Sequence, residues 1–195
     1  MFEAAREVPI RLSAEEPATF VLGQPWNATP EPGLRRTSVE AWYRGGCLEV
    51  RATMVDDEVF NDATAHNQRT WELGDVFEVF VRRDDEERYT EVHVTPDNIR
   101  IHFRFDDFEH LGRIGDPSEV HADPDLIESS AERTDDGWIA WARIPIAAVP
   151  GDRLRVSFCR YDASRGCEPV LSTSSPHRVV AFHRPWEWLL CVVGG

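Results

Sequence analysis

The chain has 195 residues, 42% hydrophobic and 29% charged, and its 35 acidic against 21 basic side chains give a net charge of −14. Such a surface repels phosphate backbones and anionic lipid, so neither nucleic acid nor membrane is the expected partner. All the basic residues are Arg, which excludes a P-loop lysine and Schiff-base chemistry.

Residues 1–38 read as an irregular N-terminal segment. The first ten lack the basic start and apolar run of a secretion signal, so a cytoplasmic location is the default, and a secreted one follows if a signal has been removed. Beyond residue 38 come short alternating segments, parted by Gly, Pro, Asp and Asn. They give candidate strands at 40–44, 47–55, 75–82, 89–95, 99–105, 126–133, 137–145, 153–161 and 187–193. No stretch keeps a helical period over three turns. No window reaches the roughly 18 apolar residues of a membrane span. The expectation is all-β: a single antiparallel β-sandwich over 1–195, jelly-roll or immunoglobulin-like. Cys47, Cys159, Cys167 and Cys191 show no zinc spacing and read as reduced, structural thiols.

Two hairpins have readable registers. Thr95-Pro96-Asp97-Asn98 has turn chemistry and predicts the pairs Val94–Ile99, His93–Arg100, Val92–Ile101 and Glu91–His102. Val92, Val94, Ile99, Ile101, Phe103 and Phe105 then share the core face. Thr134–Gly137 joins 126–133 to 138–145, where Trp138 has core parity. Trp141 has the opposite parity, as an exposed contact or under a loop.

The face opposite the core carries Tyr89, Glu91, His93, Arg100, His102 and Arg104. On strand 75–82, Phe77, Val79 and Val81 have core parity, which sets Glu78 beside His93 and Arg100. Trp71 stands just before this strand. An acid, an imidazole and a guanidinium can hydrogen-bond vicinal hydroxyls, while an indole covers the C–H face of a pyranose. The same residues also read as a Glu78–Arg100 ion pair on a solvated sheet. The acidic turns at 56–58, 84–87, 106–107 and 135–136 match no EF-hand loop. No GxSxG, HExxH or Gly-rich phosphate motif occurs.

Residues 60–105 resemble the family 9 carbohydrate-binding modules and their DOMON-like relatives. The matching stretch is Phe60 to Phe80, with Trp71 shortly before Asp75-Val76-Phe77-Glu78. Further on, Gly137-Trp138 through Ile144-Pro145 resembles that group's Gly-Trp…Ile-Pro strand, and Phe182-His183-Arg184-Pro185 its closing Phe-His-x-Pro segment. The resemblance implies a β-sandwich whose relatives bind sugars or oligosaccharides, often at chain ends, and hold structural Ca²⁺. By it Trp71 matches the first of two sugar-sandwiching indoles, Glu78 the acid, Arg100 the Arg and His93 an amide. No aromatic residue stands near Leu171–Ser175, where the second indole belongs, so Trp186, Trp188 or Trp141 is the substitute. Trp141 also stands where relatives carry Glu.

The expected function is a non-catalytic carbohydrate-binding module using Trp71, Glu78, His93, Arg100, His102, Trp141 and Trp186. Two other readings stay open. One is a DOMON-type haem domain, with Met54 the only methionine besides Met1. The other is a glycan-active enzyme with Glu78 and His93 as acid and base.

Overall fold

A computed structural model describes residues 8–195. Two strands, β1 (Ile10–Leu12) and β2 (Ala18–Val21), lie within the segment expected to be irregular. Next come β3 (Thr37–Arg44) and β4 (Cys47–Val55), joined by Gly45-Gly46 with φ of 53° and 77°. Two successive left-handed residues are what a type I′ turn demands, and glycine adopts them without steric penalty. β5 (Val76–Arg83), β6 (Tyr89–Val94) and β7 (Arg100–Phe105) form a meander, followed by a one-turn helix, α1 (His110–Arg113). β8 (Glu128–Thr134) and β9 (Gly137–Pro145) make a second tight hairpin. β10 (Arg153–Asp162), β11 (Val170–Thr173) and β12 (Leu189–Val193) complete the order.

The strands form two sheets. The larger runs β1-β12-β10-β5-β6-β7 with β11 added to β10, and the smaller runs β2-β3-β4-β9-β8. β1 pairs parallel with β12; the other strand pairs are antiparallel. Alternation turns Val50, Ala52, Met54, Trp138 and Ala140 of the smaller sheet inward, against Phe77, Val79, Val92, Val156 and Phe158 of the larger. The architecture is an all-β sandwich. Its four cysteines are free thiols, with Cys167 exposed and the others buried.

The β6–β7 hairpin departs from expectation by one residue. Thr95 N bonds Ile99 O at 3.0 Å and Asn98 N bonds Thr95 O at 2.9 Å, with Asn98 at φ 58°. A turn ending in one left-handed residue makes a three-residue loop, where the sequence suggested a four-residue one. The pairs are therefore Val94–Arg100, His93–Ile101, Val92–His102 and Glu91–Phe103. A slip of one residue sends every side chain of β7 to the other face. Ile101, Phe103 and Phe105 leave the inter-sheet core and line the outer face beside Glu91 and His93. Arg100, His102 and Arg104 move to the side of Val92 and Val94. Asn98 fixes this register with both ends of its amide, donating to Ser129 O at 3.3 Å and accepting from Ser129 Oγ at 2.6 Å.

The edge of β7 is covered, which removes the hazard of an open strand. Asn67 N bonds Arg100 O at 2.8 Å and Ala122 N bonds His102 O at 2.7 Å.

Gly137 starts β9 with φ of 144°, and a Cβ there would lie 2.0 Å from Met54 O. Gly137→Ala should lower the unfolding free energy by more than about 2 kcal/mol in urea titrations. Gly151 has φ of 95° but open space around it, so Gly151→Ala should cost only about 1 kcal/mol of stability, from backbone strain. Equal losses would show that close approach is not what requires Gly137.

Candidate functional site

Strand alternation sets the chemistry on the outer face of the larger sheet. β5 turns Glu78 and Phe80 outward and β6 turns Glu91 and His93 the same way, with Glu78 paired to His93 and Phe80 to Glu91. Phe103 and Phe105 of β7 join them, and Phe182 and Trp188 lie across the layer. This second apolar cluster keeps water from the face. Glu78, Glu91 and His93 are buried although they stand outside the inter-sheet core. A cavity of about 370 Å³ reaches them between Trp71, Phe103, Phe105, Tyr161 and Phe182.

His93 Nε2 lies 2.7 Å from Glu91 Oε1 and 3.2 Å from Glu78 Oε1, and its Nδ1 is 3.0 Å from Thr70 Oγ1. Beyond Glu91, His183 Nε2 stands 3.5 Å from Oε2, with its Nδ1 2.7 Å from the Tyr89 hydroxyl. Burial pushes the Glu78 carboxyl up to about 8, against the pull of His93 and with the push of Glu91. Burial likewise raises Glu91 to about 7, opposed by His183. The same loss of water lowers both imidazoles and favours their neutral forms. One neutral imidazole has a single N–H, so His93 cannot satisfy two carboxylates.

Trp71 arrives from the 60–75 loop, which is tied at three points. Asn61 Nδ2 donates to Thr70 O at 2.9 Å and to Asp75 O at 3.1 Å. Gly74, at φ 145°, passes so close that a Cβ would lie 2.4 Å from Phe60 O. Asp75 accepts from Phe60 N at 2.9 Å and from Ala163 N at 2.8 Å, so it fastens the loop to the end of β10. The resulting 3-10 turn, Thr70–Glu72, holds the half-buried indole 5.6 Å from the His93 ring and 6.1 Å from Phe103.

Trp71, Glu78 and His93 thus meet in one pocket, and the other candidates lie elsewhere. Arg100, carried to the opposite face by the register, pairs with Asp125 at 3.1 Å. His102 shares that face, with its Nδ1 2.8 Å from Asp123 O. Trp141 stands on the outer side of the smaller sheet, paired with Arg51 and Ser130, so the whole sandwich separates it from the pocket. Trp186 is exposed outside the pocket, 5.2 Å from the Phe108 ring. Trp188 is fully buried and donates from Nε1 to Phe182 O at 2.8 Å.

A scan against protein-family models and a search of curated proteins give no match. Solved structures match over nearly the whole chain. A protein of Bacteroides uniformis ATCC 8492, described provisionally as carbohydrate-binding, has a TM-score of 0.73 at 12% identity, covering 95% of this chain and 97% of that one. A family 9 carbohydrate-binding module of Caldicellulosiruptor kristjanssonii, in complex with cellotriose, gives 0.68 at 14% identity, with 96% and 94% covered. The fold is that of a family 9 carbohydrate-binding module. A module of the same organism in complex with glucose agrees, at 0.65 and 13% identity, with 96% of each chain covered.

The family 9 resemblance implies structural calcium, and Asp56, Asp75 and Asp162 bring three buried carboxylates together. They do not fit it. Buried Arg160 places Nη2 2.8 Å from Asp56 Oδ2 and 3.2 Å from Asp162 Oδ1, and Arg35 adds a second guanidinium 3.0 Å from Asp162. Both oxygens of Asp75 already accept backbone N–H groups. Calcium needs about six to eight oxygens; here the cation is arginine. Met54, the candidate haem ligand, is packed in the inter-sheet core and paired with Trp138.

Glu91, which parity placed on the outer face, and His183 complete the pocket cluster but were not among the expected binding residues. Glu91 shares parity with His93, and His183 belongs to the Phe-His-x-Pro segment, so both signals were present. Phe103 and Phe105 were hidden by the register.

Burial pushes the Asp75 carboxyl up to about 7, against the two backbone N–H groups that pull it down. The unfolded chain releases this proton near 3.8, while the folded state keeps it to about 7. The folded state then binds more protons across that window, so stability from this site falls as pH rises through it. Thermal melts between about pH 5 and pH 8 should show the margin of wild type over Asp75→Asn shrinking as pH rises. A margin that stays constant would mean that Asp75 is ionised throughout.

Proposed function

We propose that the pocket over Glu78, Glu91 and His93 binds a sugar or the end of a glycan, and that the chain acts by binding alone. The observation that carries this reading is an aromatic wall, Trp71 with Phe103 and Phe105, standing over a floor of buried carboxylates. A pyranose has the same duality: C–H groups on its faces and hydroxyls at its rim. The rings bury the faces, and the carboxyl groups meet the hydroxyls where water cannot compete. Modules of the same fold are known in complex with cellotriose and glucose, which supports the reading.

The floor does not suit glycoside hydrolysis. That reaction needs two carboxyls flanking the sugar, about 5–10 Å apart. Glu78 and Glu91 instead converge on one nitrogen of His93, at 3.2 and 2.7 Å.

Isothermal titration against hexoses, pentoses and uronic acids should find binding in the micromolar to millimolar range, roughly −8 to −4 kcal/mol. Trp71→Ala should weaken it at least about tenfold, the loss of a stacking face, and the bound sugar should quench tryptophan fluorescence. Arg100→Ala should leave affinity within about twofold, since the half-buried Arg100 pairs with Asp125 on the far face and does not line the pocket. Silence across the whole panel, or loss with Arg100→Ala but not Trp71→Ala, would overturn the assignment.

A further inference from the structure

We propose that Glu78, Glu91 and His93, with His183 beside them, form a binding site for a divalent transition-metal ion, zinc foremost, at the floor of the pocket. The site shares the cavity of the proposed sugar site but does not depend on a sugar being bound.

Three features point to a ligand. First, His93 Nε2 and one oxygen of each carboxylate lie within 4.8 Å of one another, all buried. Ligand atoms around tetrahedral zinc stand about 3.4 Å apart, so the 3.2 Å separation of His93 from Glu78 needs little change and the 2.7 Å pair with Glu91 must open slightly. Second, Glu91 is only 4% exposed, lines the cavity, and its Oε2 makes no hydrogen bond with any described residue. His183 Nε2 stands 3.5 Å from that oxygen without hydrogen-bonding it; a buried carboxylate oxygen without a hydrogen bond is costly, and a cation between the two would supply what is missing. Third, both imidazoles are held from behind. Nδ1 of His93 is 3.0 Å from the Thr70 hydroxyl and Nδ1 of His183 is 2.7 Å from the Tyr89 hydroxyl, so each Nε2 is turned toward a carboxylate. An outer-shell hydrogen bond of this kind orients the ring of a metal-bound histidine, and each hydroxyl can accept the Nδ1–H that metal binding through Nε2 requires.

The donor set selects the ion. A mixed imidazole and carboxylate site suits zinc, cobalt or manganese, whereas calcium and magnesium prefer oxygen alone. No guanidinium pairs with Glu78 or Glu91 among the described residues, in contrast to the Asp56–Asp162 cluster that Arg160 neutralises.

The test uses untagged protein stripped with a chelator and titrated with zinc chloride, with cobalt(II) as a coloured probe. One equivalent of zinc should bind, and cobalt should give the visible absorption of a four- or five-coordinate site. His93→Gln and Glu91→Gln should each weaken zinc at least about tenfold, and Thr70→Val, which removes only the support, by about the same factor. Zinc X-ray absorption on the wild-type protein should show imidazole scattering; this measurement decides the matter even if a variant fails to fold. Absence of stoichiometric uptake, an all-oxygen shell, or equal affinity in the variants would overturn the site. Sugar titrations of chelated and zinc-loaded protein separate the two readings. Sugar binding without metal uptake defeats only the metal site, and metal uptake without sugar binding defeats only the sugar reading.

Discussion

Two carboxylates and an imidazole stand on a sheet face that aromatic side chains keep from water, and the rest of the molecule's architecture can be read from that constraint. An outer sheet face is normally solvated, with polar residues alternating against the core. Here Phe80, Phe103, Phe105, Phe182 and Trp188 form a second apolar cluster on that face. Alternation survives, but its outward residues are a mixture of rings and acids. The rings gain free energy by burial at roughly 25 cal/mol per Å², while the acids lose hydration and recover it only in part. The raised carboxyls of Glu78 and Glu91 and the lowered imidazole of His93 record that imbalance. Groups perturbed in this way within a cavity are the usual mark of a working site.

The same sheet carries a buried charge of a different kind. At the end of β10, Arg160 is fully buried, and it meets Asp56, Asp162, Thr37 Oγ1 and Val55 O. This network joins β4, β10 and the β3 start across the sandwich. Removing one partner of such a buried set leaves an uncompensated charge, a loss of about 3–5 kcal/mol. Asp75 sits next to it and fastens the loop that carries Trp71. The indole's position therefore depends on two backbone N–H groups and a close glycine contact rather than on the strand it precedes. One end of the larger sheet neutralises its acids internally with arginine, and the pocket leaves its acids open.

Much of this was legible in sequence, and the limits have physical causes. Alternation with a period of two located the longer strands of both sheets, missing β1, β2 and the four-residue β11, and assigned Phe77, Val79 and Val81 inward and Glu78 outward, as the structure has them. Trp138 and Trp141 fell on opposite faces for the same reason. The β6–β7 register was misread because Thr95-Pro96-Asp97-Asn98 has the composition of a four-residue turn. Whether Asn98 closes that turn or extends it by one left-handed residue is decided by its amide bonds to Ser129, 31 positions away. No local signal contains that. A single residue of slip then moved Arg100 and His102 out of the pocket and Phe103 and Phe105 into it. The misfit of the Asp56, Asp75 and Asp162 cluster to calcium was hidden for a comparable reason, because three acids scattered over a hundred positions reveal nothing of the arginine among them. The short strands β1 and β2 have too few residues to show a period.

The pocket's two halves place different demands on a ligand, and they fall on different atoms. Trp71, Phe103 and Phe105 offer faces and edges to C–H groups. The floor offers oxygen and nitrogen atoms held in a poor dielectric. Burial raises both carboxyls, Glu78 to about 8 and Glu91 to about 7, so in the proposed sugar site the floor would offer a hydroxyl a shared proton as well as acceptor oxygens. In the proposed metal site Glu78, Glu91 and His93 would hold the cation, and the carboxyl protons would leave as it bound. The net charge of −14 bears on these cases unequally. It favours the approach of a divalent ion and opposes that of a free sugar acid, and it leaves the approach of a neutral sugar unaffected, so that shape, stacking and hydrogen bonds to the floor would select it.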